Sequence, residues 1–401
     1  MMGRENIRQE TQSGLPRGWR RVRIGDVVTV LPGQHILEAD YVQHKCGIGY
    51  ITGPADFGYE KPLITKWTEK PKATCEPIDV LVTVKGAGVG KINLAPDEKA
   101  AIGRQLMAIR PDLDTLNLRF LFYFLRSCIQ HFQDTATGST VPGLDRDSIE
   151  SLCMPLPPLD EQKRIVAILN VQLPAVEKAR KAIEQNCNNA KLLPMSYLRE
   201  LFSKLKGDIQ RTATLGDILY LRKDVIHPYN KPRGPAVFIG LEHVESGTRK
   251  LCGSQPVEMS ELTGRKPRFH KGDIVYGYLR PYLNKVWVAD FDGLCSVDQY
   301  VYEVNKDEAL NHYVAWFMRS PIYLEDSPVG KTHGWLPRIR TDEVARIEMV
   351  LPSISEQEKI VDAIHAKMKV FDTIISSTKE QLTCVGNYPY ALLNQAFSGS
   401  L

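Results

Sequence analysis

Short runs rich in β-branched and aromatic residues predict β-strands in both halves of the chain. The run Asp79-Val-Leu-Val-Thr-Val84 has a counterpart 194 residues later, Asp273-Ile-Val-Tyr-Gly-Tyr278. Farther along each half, apolar residues recur at helical spacing, as at Leu118, Leu121, Phe122, Leu125, Ile129 and Phe132, and again at Leu310, Tyr313, Val314 and Phe317. The pattern predicts two mixed α/β (α+β) domains in tandem.

A long helical pattern follows each predicted domain. Its apolar positions are Ile165, Ile168, Leu169, Val176, Ile183 and Leu192 in the first half, and Ile360, Ile364, Phe371, Ile374, Ile375 and Leu382 in the second. Spacings of three and four residues, with polar residues between, favour helices that pack on another helix along one seam. Pro174 predicts a kink near Asn170, and Pro194 predicts the end of the main helical segment.

A motif at the start of each long helix shows that the chain is a duplication. Leu156-Pro-Pro-Leu-Asp-Glu-Gln-Lys-Arg-Ile165 returns 195 residues later as Leu351-Pro-Ser-Ile-Ser-Glu-Gln-Glu-Lys-Ile360. Each copy predicts a strand end, a proline stop and a helix start. Ser355 and Glu358 are expected to form a capping box in the second copy, and Asp160 is expected to cap the helix in the first.

The repeat predicts five segments. They are a loose N-terminus (1–14), a first domain (15–157), a central helix (158–206), a second domain (207–352) and a C-terminal helix (353–401). Because the second domain must reverse the chain direction, the two long helices can pair antiparallel, related by a pseudo-two-fold axis.

Composition and charge narrow the class of protein only slightly. The 401 residues are 43% hydrophobic and 24% charged, which is typical of globular domains. The net charge is +4, divided as about +5 up to Lys206 and about −1 beyond it, which permits a nucleic-acid partner without requiring one. We expect a soluble, cytoplasmic protein with reduced thiols, because no signal-peptide core, long apolar run or Cys-x-x-Cys pair is present.

The sequence offers little that would support catalysis. Lys85-Gly-Ala-Gly-Val-Gly-Lys-Ile92 fails the phosphate-loop pattern, because Lys85 replaces its first glycine and Ile92 replaces the Ser or Thr that binds magnesium. It is either a glycine-rich turn or a backbone-phosphate contact. Asp97-Glu98-Lys99 is interpreted as a solvated loop. The chain has neither the Asn/Asp-Pro-Pro-Tyr/Phe motif of amino-methyltransferases nor a histidine cluster for a metal.

The remaining polar loops suit binding. Lysines, arginines and hydroxyl groups can contact phosphates, and arginine, asparagine and histidine can contact base edges. The candidates are Lys85, Lys91, Thr137, Ser139, Thr140, Arg280, Tyr282, Asn284, Lys285, Lys331, Thr332, His333, Trp335, Arg338 and Arg340. Any one of them could instead be an ordinary solvated residue, and Trp335 could pack on its own domain.

With its doubled motif, the chain resembles the specificity subunit of type I restriction-modification systems. The resemblance covers nearly the whole chain after about residue 15, with Ser353 in place of the second proline of the motif. It implies that each domain is a target recognition domain for one half of a split, asymmetric DNA site. It also implies that the two long helices form an antiparallel coiled coil that sets the distance between the half-sites.

The resemblance implies partners as well. They are double-stranded DNA, two methyltransferase (modification) subunits and the restriction subunits of the full complex. S-adenosylmethionine, ATP and magnesium would be bound by those subunits, and this chain would bind no cofactor or metal and would not be catalytic alone. The residues expected at the spacer-helix and partner interface are Glu161, Gln162, Ile165, Ile168, Glu356, Gln357, Ile360 and Ile364.

Two other hypotheses about the function are a self-contained enzyme and a protein-binding adaptor. A self-contained nuclease or methyltransferase would need a further catalytic domain, for which the repeat leaves no room. A helical adaptor with protein-binding domains fits the same architecture. Salt-sensitive binding of specific duplex DNA by the assembled complex would distinguish the specificity subunit from the adaptor.

Overall fold

The computed structural model describes residues 15–136, 143–209, 211–248, 250–327 and 337–401. The chain divides into two units: unit 1 comprises Met1–Ile183 with Gln381–Leu401, and unit 2 comprises Glu184–Glu380. Each long helix therefore begins in one unit and ends in the other.

Unit 1 is built on two four-stranded sheets. Its strands are β1 (Arg20–Arg23), β2 (Val28–Pro32), β3 (Ile48–Ile51), β4 (Trp67–Thr68), β5 (Thr74–Cys75), β6 (Val80–Thr83), β7 (Ile92–Leu94), β8 (Ala100–Ile102), β9 (Leu106–Pro111) and β10 (Cys153–Leu156). Its helices are α1 (Leu118–Ser127), α2 (Ile129–Thr135), α3 (Arg146–Glu150) and the first part of α4 (Leu159–Asp208). One sheet has the order β2-β9-β6-β7, the other has the order β4-β3-β8-β5 with β3 parallel to β8, and β1 pairs with β10.

Strand β6 separates two cores of unit 1. Side chains alternate between the faces of a strand. Val80 and Val82 therefore join the core that contains α1, whereas Leu81 joins the core between the two sheets. Helix α1 begins at Leu118 because the side chain of Asn117 caps it, accepting hydrogen bonds from the N–H groups of Arg119 and Phe120.

Unit 2 repeats this arrangement. Its strands are β11 (Thr212–Thr214), β12 (Leu219–Leu221), β13 (Val225–Ile226), β14 (Pro235–Ile239), β15 (Gln255–Glu258), β16 (Lys266–Phe269), β17 (Ile274–Gly277), β18 (Val286–Val288), β19 (Gly293–Cys295), β20 (Gln299–Val304) and β21 (Glu348–Val350). Its helices are the remainder of α4, α5 (Leu215–Ile218), α6 (Asn311–Arg319), α7 (Pro321–Asp326), α8 (Thr341–Ala345) and the first part of α9 (Ile354–Ser398).

The strand orders of unit 2 confirm the duplication. The order β12-β20-β17-β18 matches β2-β9-β6-β7, and β14 is parallel to β19 as β3 is to β8. Unit 2 adds one edge strand, because β13 lengthens its second sheet to five strands. The predicted pair of α/β domains, each followed by a long helix, is confirmed.

Helix α4 has 50 residues and α9 has 45. Pro194 lies inside α4, so the prediction that the helix ends there is wrong. A proline removes one backbone hydrogen bond. The turns after Pro194 are held by other contacts, because Leu198 and Phe202 are buried in the core of unit 2. Pro389 occupies the equivalent place in α9, 195 residues later.

The starts of the two long helices differ from the prediction. Ser353, not Ser355, forms the capping box of α9: its N–H and hydroxyl donate to Glu356 Oε2 at 2.9 and 2.7 Å. In α4 the carbonyl of Pro158 accepts hydrogen bonds from the first turn, and Asp160 lies inside that turn. The sequence offers two overlapping Ser-x-x-Glu frames, and pattern alone could not choose between them.

Within each unit, the start of one long helix packs with the end of the other. In unit 1, Ile165, Leu169 and Leu173 share a core with Leu392, Leu393 and Ala396. In unit 2, Leu198 and Phe202 share a core with Ile364 and Met368. This order of contacts is antiparallel, as predicted.

Candidate nucleic-acid interface

In unit 1, the loop that carries Lys85 lies against the residues that directly precede α3. Lys85 is exposed and forms a β-bridge with Gly143. Next to this bridge, the N–H of Leu144 donates to the carbonyl of Val84 at 2.9 Å. The structure therefore joins the turn that carries Lys85 to Gly143 and Leu144, the residues that lead into α3.

The glycine-rich segment after β6 is a tight turn. Gly86 and Gly90 adopt φ values of +90° and +85°, which glycine adopts without strain. The chain then enters strand β7, whereas a nucleotide phosphate loop would lead into a helix. Lys85 and Lys91 are exposed at the two ends of the turn. The structure thus favours the turn and leaves both ammonium groups available to an anionic partner.

Unit 2 joins the corresponding loops in the same way. The N–H of Arg280 donates to the carbonyl of Pro337 at 2.8 Å, and Leu279 forms a β-bridge with Arg338. The N–H of Ile339 donates to the carbonyl of Tyr278, as Leu144 donates to Val84 in unit 1. Arg280 and Arg338 are both exposed. Two guanidinium groups that lie far apart in sequence thus belong to adjoining loops.

Aromatic residues support this junction in unit 2. The rings of Tyr278 and Tyr300 stack with centroids 4.3 Å apart, and the hydroxyl of Tyr300 donates to the carbonyl of Ile339 at 3.2 Å. Burial raises the pKa of Tyr300, and Tyr278 adds to the rise, so this hydroxyl stays a proton donor at neutral pH. Tyr282 is 54% exposed and presents an aromatic ring to solvent.

Two of the predicted contacts in this loop are internal. Asn284 is 2% exposed, and its side-chain amide donates to the carbonyl of Arg319 at 2.8 Å. Its φ of +45° is one that asparagine tolerates better than most residues. The ammonium of Lys285 donates to the carbonyl of Leu241 at 2.5 Å. This corrects the prediction for Asn284, which shapes the loop from inside and is not part of the surface.

Arg340 is exposed but has acidic neighbours. Its Nε lies 3.4 Å from Asp342 Oδ1 and 3.8 Å from Glu343 Oε2. Its backbone N–H donates to Glu343 at the start of α8. The carboxylates compete with any phosphate for this guanidinium. Thr137, Ser139, Thr140, Lys331, Thr332, His333 and Trp335 lie outside the described residues.

The duplicated glutamine is not on the partner-facing surface, which corrects the prediction for Gln162 and Gln357. Both are 0% exposed. Gln162 Oε1 accepts from the N–H of Asn117 at 2.8 Å, and its Nε2 donates to the carbonyls of Thr115 and Pro157, each at 2.9 Å.

Gln357 makes the same three contacts in unit 2. It accepts from the N–H of Leu310 at 2.8 Å and donates to the carbonyls of Glu308 at 3.1 Å and Pro352 at 2.9 Å. Each glutamine therefore joins its long helix to the segment that precedes α1 in unit 1 or α6 in unit 2.

The two glutamates of the motif differ from the glutamines. Arg164 donates to Glu161 at 2.7 Å and holds the pKa of Glu161 below its usual range, and it also donates to the carbonyl of Leu401. Glu356 belongs to the capping box, and the hydrogen bonds from Ser353 lower its pKa. Both carboxylates are therefore charged groups at helix starts.

Ile165, Ile360 and Ile364, three of the four predicted apolar interface residues, contribute to the cores of the two units. Ile165 and Ile364 are buried, whereas Ile168 and Ile360 are partly buried. Ile360 packs against the core of unit 2.

Sequence reasoning missed two sets of residues in unit 1. Arg104 and Gln105 are exposed, and the Gln105 carbonyl accepts from the N–H of Val84 beside the Lys85 loop. Arg119 pairs with Glu60 at 3.0 Å and, together with Tyr123, donates to Asn170 Oδ1 on α4. No repeated motif marks these positions, so only the fold reveals them.

In the described part of the chain, the arrangement offers exposed lysine and arginine side chains and the exposed ring of Tyr282 on loops that adjoin the sheets. Among the residues that the structure describes, no cluster of His, Cys, Asp and Glu has the composition of a metal site. Over the same residues, no helix is long and apolar enough to span a membrane.

Comparison with known proteins shows what the chain is similar to. Residues 16–185 match the model of the type I restriction modification DNA specificity domain. The chain is 25% identical to the type I restriction enzyme EcoDI specificity subunit of Escherichia coli, with 96% of this chain and 89% of that protein aligned. It is 24% identical to the MjaVIII specificity subunit of Methanocaldococcus jannaschii, over 99% and 96% of the two chains.

Solved structures share the fold. The HsdS subunit of Thermoanaerobacter tengcongensis superposes with a TM-score of 0.65 at 18% identity, over 98% of this chain and 100% of that one. A chain from a type I R-M system, solved in a study of its complex assembly and conformational transition, gives 0.78 at 18% identity, over 96% and 99%. Residues 16–185 thus match the specificity domain of type I restriction-modification systems, and the whole chain is similar to their specificity subunits.

Proposed function

We propose that this chain reads a bipartite, asymmetric DNA site, with one recognition domain for each half-site. The observation that carries the proposal is the repeated loop junction. Both units place a cation-bearing turn after the central strand, β6 or β17, next to the loop before the last short helix. Two such surfaces in one chain suit two separate DNA segments.

The exposed loop residues suit both kinds of DNA contact. Lys85 and Lys91 in unit 1 would contact phosphates, which position a protein on the duplex without specifying sequence. Arg280 and Arg338 in unit 2 would reach phosphates or the paired acceptors of guanine. Because the two surfaces carry different side chains, the half-sites would differ in sequence.

The long helices would set the distance between the half-sites. At 1.5 Å per residue, the 50 residues of α4 correspond to a length of about 75 Å. One turn of the duplex is about 34–36 Å. A helix pair of this length can therefore separate two recognition domains by more than one turn of DNA.

As a specificity subunit, the chain supplies recognition and is not the catalytic component. We infer that it joins two methyltransferase subunits and, in the full complex, the restriction subunits. These partners would bind S-adenosylmethionine, ATP and magnesium, and this chain would bind none of them.

The test of the proposed function is methylation-aware sequencing of DNA from cells that express this chain with its modification partner. We expect one methylated motif composed of two specific half-sites and a fixed number of unspecified base pairs. Binding of that motif by the assembled complex should weaken steeply as salt rises. A complex that assembles but shows no salt-sensitive DNA binding would favour the protein-binding adaptor instead.

Arginine variants test the surface of unit 2. Arg280→Ala and Arg338→Ala should each cost about 1–3 kcal/mol of binding free energy if the guanidinium contacts a base edge, and should relax one half-site only. Lys204→Ala, which removes an exposed cation of α4, is the matched control. Unchanged affinity in both arginine variants would exclude these loops as the DNA surface.

A further inference from the structure

Gln162 and Gln357, the buried glutamines of the duplicated motif, each use every hydrogen-bonding group of the side chain. A glutamine side chain offers two N–H donors and a carbonyl acceptor. In each unit both donors and the acceptor are engaged, with distances of 2.8 to 3.1 Å. Glutamate would lack the donors, asparagine would be one methylene too short, and methionine would make none of these bonds.

The groups that each glutamine contacts lie on both sides of one joint. On the helix side is the proline turn, through the carbonyl of Pro157 or Pro352. On the domain side is the segment that leads from β9 to α1 or from β20 to α6, through Asn117 or Leu310. Rotation of the domain about the start of its long helix would break these bonds and leave polar groups buried and unpaired, which is costly.

We propose that Gln162 and Gln357 are positioning residues that fix the rotation of each recognition domain on its long helix and so make the complex strict about the number of base pairs between the half-sites. This inference rests on the proposed function. One added base pair moves a half-site by about 3.4 Å along the duplex and turns it by about 35°. A complex can follow that turn only if a domain rotates about its joint.

The experiment compares DNA substrates that share the same half-sites and differ in the spacer between them. The spacer is one base pair shorter than the native length, equal to it, or one base pair longer. Gln162→Met and Gln357→Met keep the side-chain volume and remove the three hydrogen bonds. We expect the preference for the native spacer over its neighbours to fall by about tenfold, with the half-site sequences unchanged. Gln172→Met is the control, because Gln172 is exposed on the same helix, α4.

The outcomes separate the two proposals. An unchanged spacer preference in folded Gln162→Met and Gln357→Met complexes overturns the positioning role. Absence of any bipartite motif with the unaltered chain contradicts the proposed function itself.

Hydrogen exchange on the unaltered complex covers the case in which a variant does not fold. The amides of Asn117 and Leu310, which donate to the two glutamines, should exchange faster on DNA with one extra base pair than on native DNA. Equal protection at both amides on both DNA molecules would also overturn the proposal.

Discussion

A buried aspartate directly precedes the central strand of each unit, and an arginine pairs with it. The arginine comes from a different place in each unit. Asp79 is 0% exposed and accepts two hydrogen bonds from Arg110, at 2.8 and 2.9 Å. Asp273 is paired in the same way with Arg222, at 2.7 and 2.9 Å. Arg110 lies on β9, whereas Arg222 follows β12. The repeat in the sequence predicts the two aspartates and gives no information about their partners.

Removing this aspartate should destabilise the unit that contains it. Because Asp79→Ala leaves the half-buried Arg110 without its carboxylate, we expect a loss of about 3 kcal/mol in the free energy of unfolding. Urea denaturation measures this loss in the free energy of unfolding, and hydrogen exchange assigns it to unit 1. Asp97→Ala is the control, because Asp97 pairs with Lys61 at the surface and should change stability by less than about 1 kcal/mol. Equal effects of the two substitutions would contradict this explanation.

Residue chemistry alone predicts only part of the candidate site. Arg280 and Arg338 are exposed, as their charge suggests. Asn284 is two residues from the exposed Tyr282 and is nevertheless buried, because its amide reaches the backbone of Arg319, 35 residues away. Exposure within an irregular loop depends on such contacts between distant segments, and no local pattern reveals them.

At the scale of elements, the long helices are predicted best and their ends worst. Apolar spacing indicates both helices and the seam between them. The sequence misleads at Pro194 because packing by Leu198 and Phe202 after the proline keeps the helix intact. It also misleads at Ser355, because the competing Ser353 frame places Gln357 in its buried position.

The end of each long helix places one phenylalanine against α1 in unit 1 or α6 in unit 2. Phe202 contacts Tyr313 and Phe317 in unit 2, with ring centroids 5.8 and 5.5 Å apart. Phe397 contacts Phe120 and Phe124 in unit 1, at 5.2 and 5.4 Å. These equivalent contacts show that the far end of each helix belongs to the core of a domain.

Substituting these phenylalanines should destabilise different units. Phe202→Ala should lower the stability of unit 2 by about 3–5 kcal/mol, because the ring is fully buried. Phe397→Ala should lower that of unit 1 by less, because this ring is only partly buried. Hydrogen exchange resolved along the chain assigns each loss to a unit. Loss of protection in the opposite unit only would contradict the packing described.

At the scale of the whole molecule, duplication is the feature that sequence predicts most securely. A repeated strand and a repeated motif at spacings of 194 and 195 residues, with a helical pattern between them in each half, give two equivalent domains before any coordinate is known. The sheet order, the parallel pairs β3–β8 and β14–β19, and the added strand β13 come only from the structure. Pairings between strands far apart in sequence depend on packing that periodicity does not encode.

Changing the length of the helices tests the role of the pair directly. Inserting four residues in both α4 and α9 adds about 6 Å and about 40° of rotation. The complex should then prefer a longer or differently phased spacer and keep both half-site sequences, as methylation-aware sequencing would report. Exchanging residues 15–155 with those of a related specificity subunit should do the reverse, altering one half-site and keeping the spacing.

These changes also differ from the loss of the buried glutamines. A longer helix should move the preferred spacer length while the preference remains sharp, because both joints are intact. Substitution of Gln162 or Gln357 should broaden the preference around the native length, because the distance is unchanged and only the rotation is released. If insertion broadened the preference without moving it, the helices would not set the distance, and rotation at the joints alone would determine the spacing.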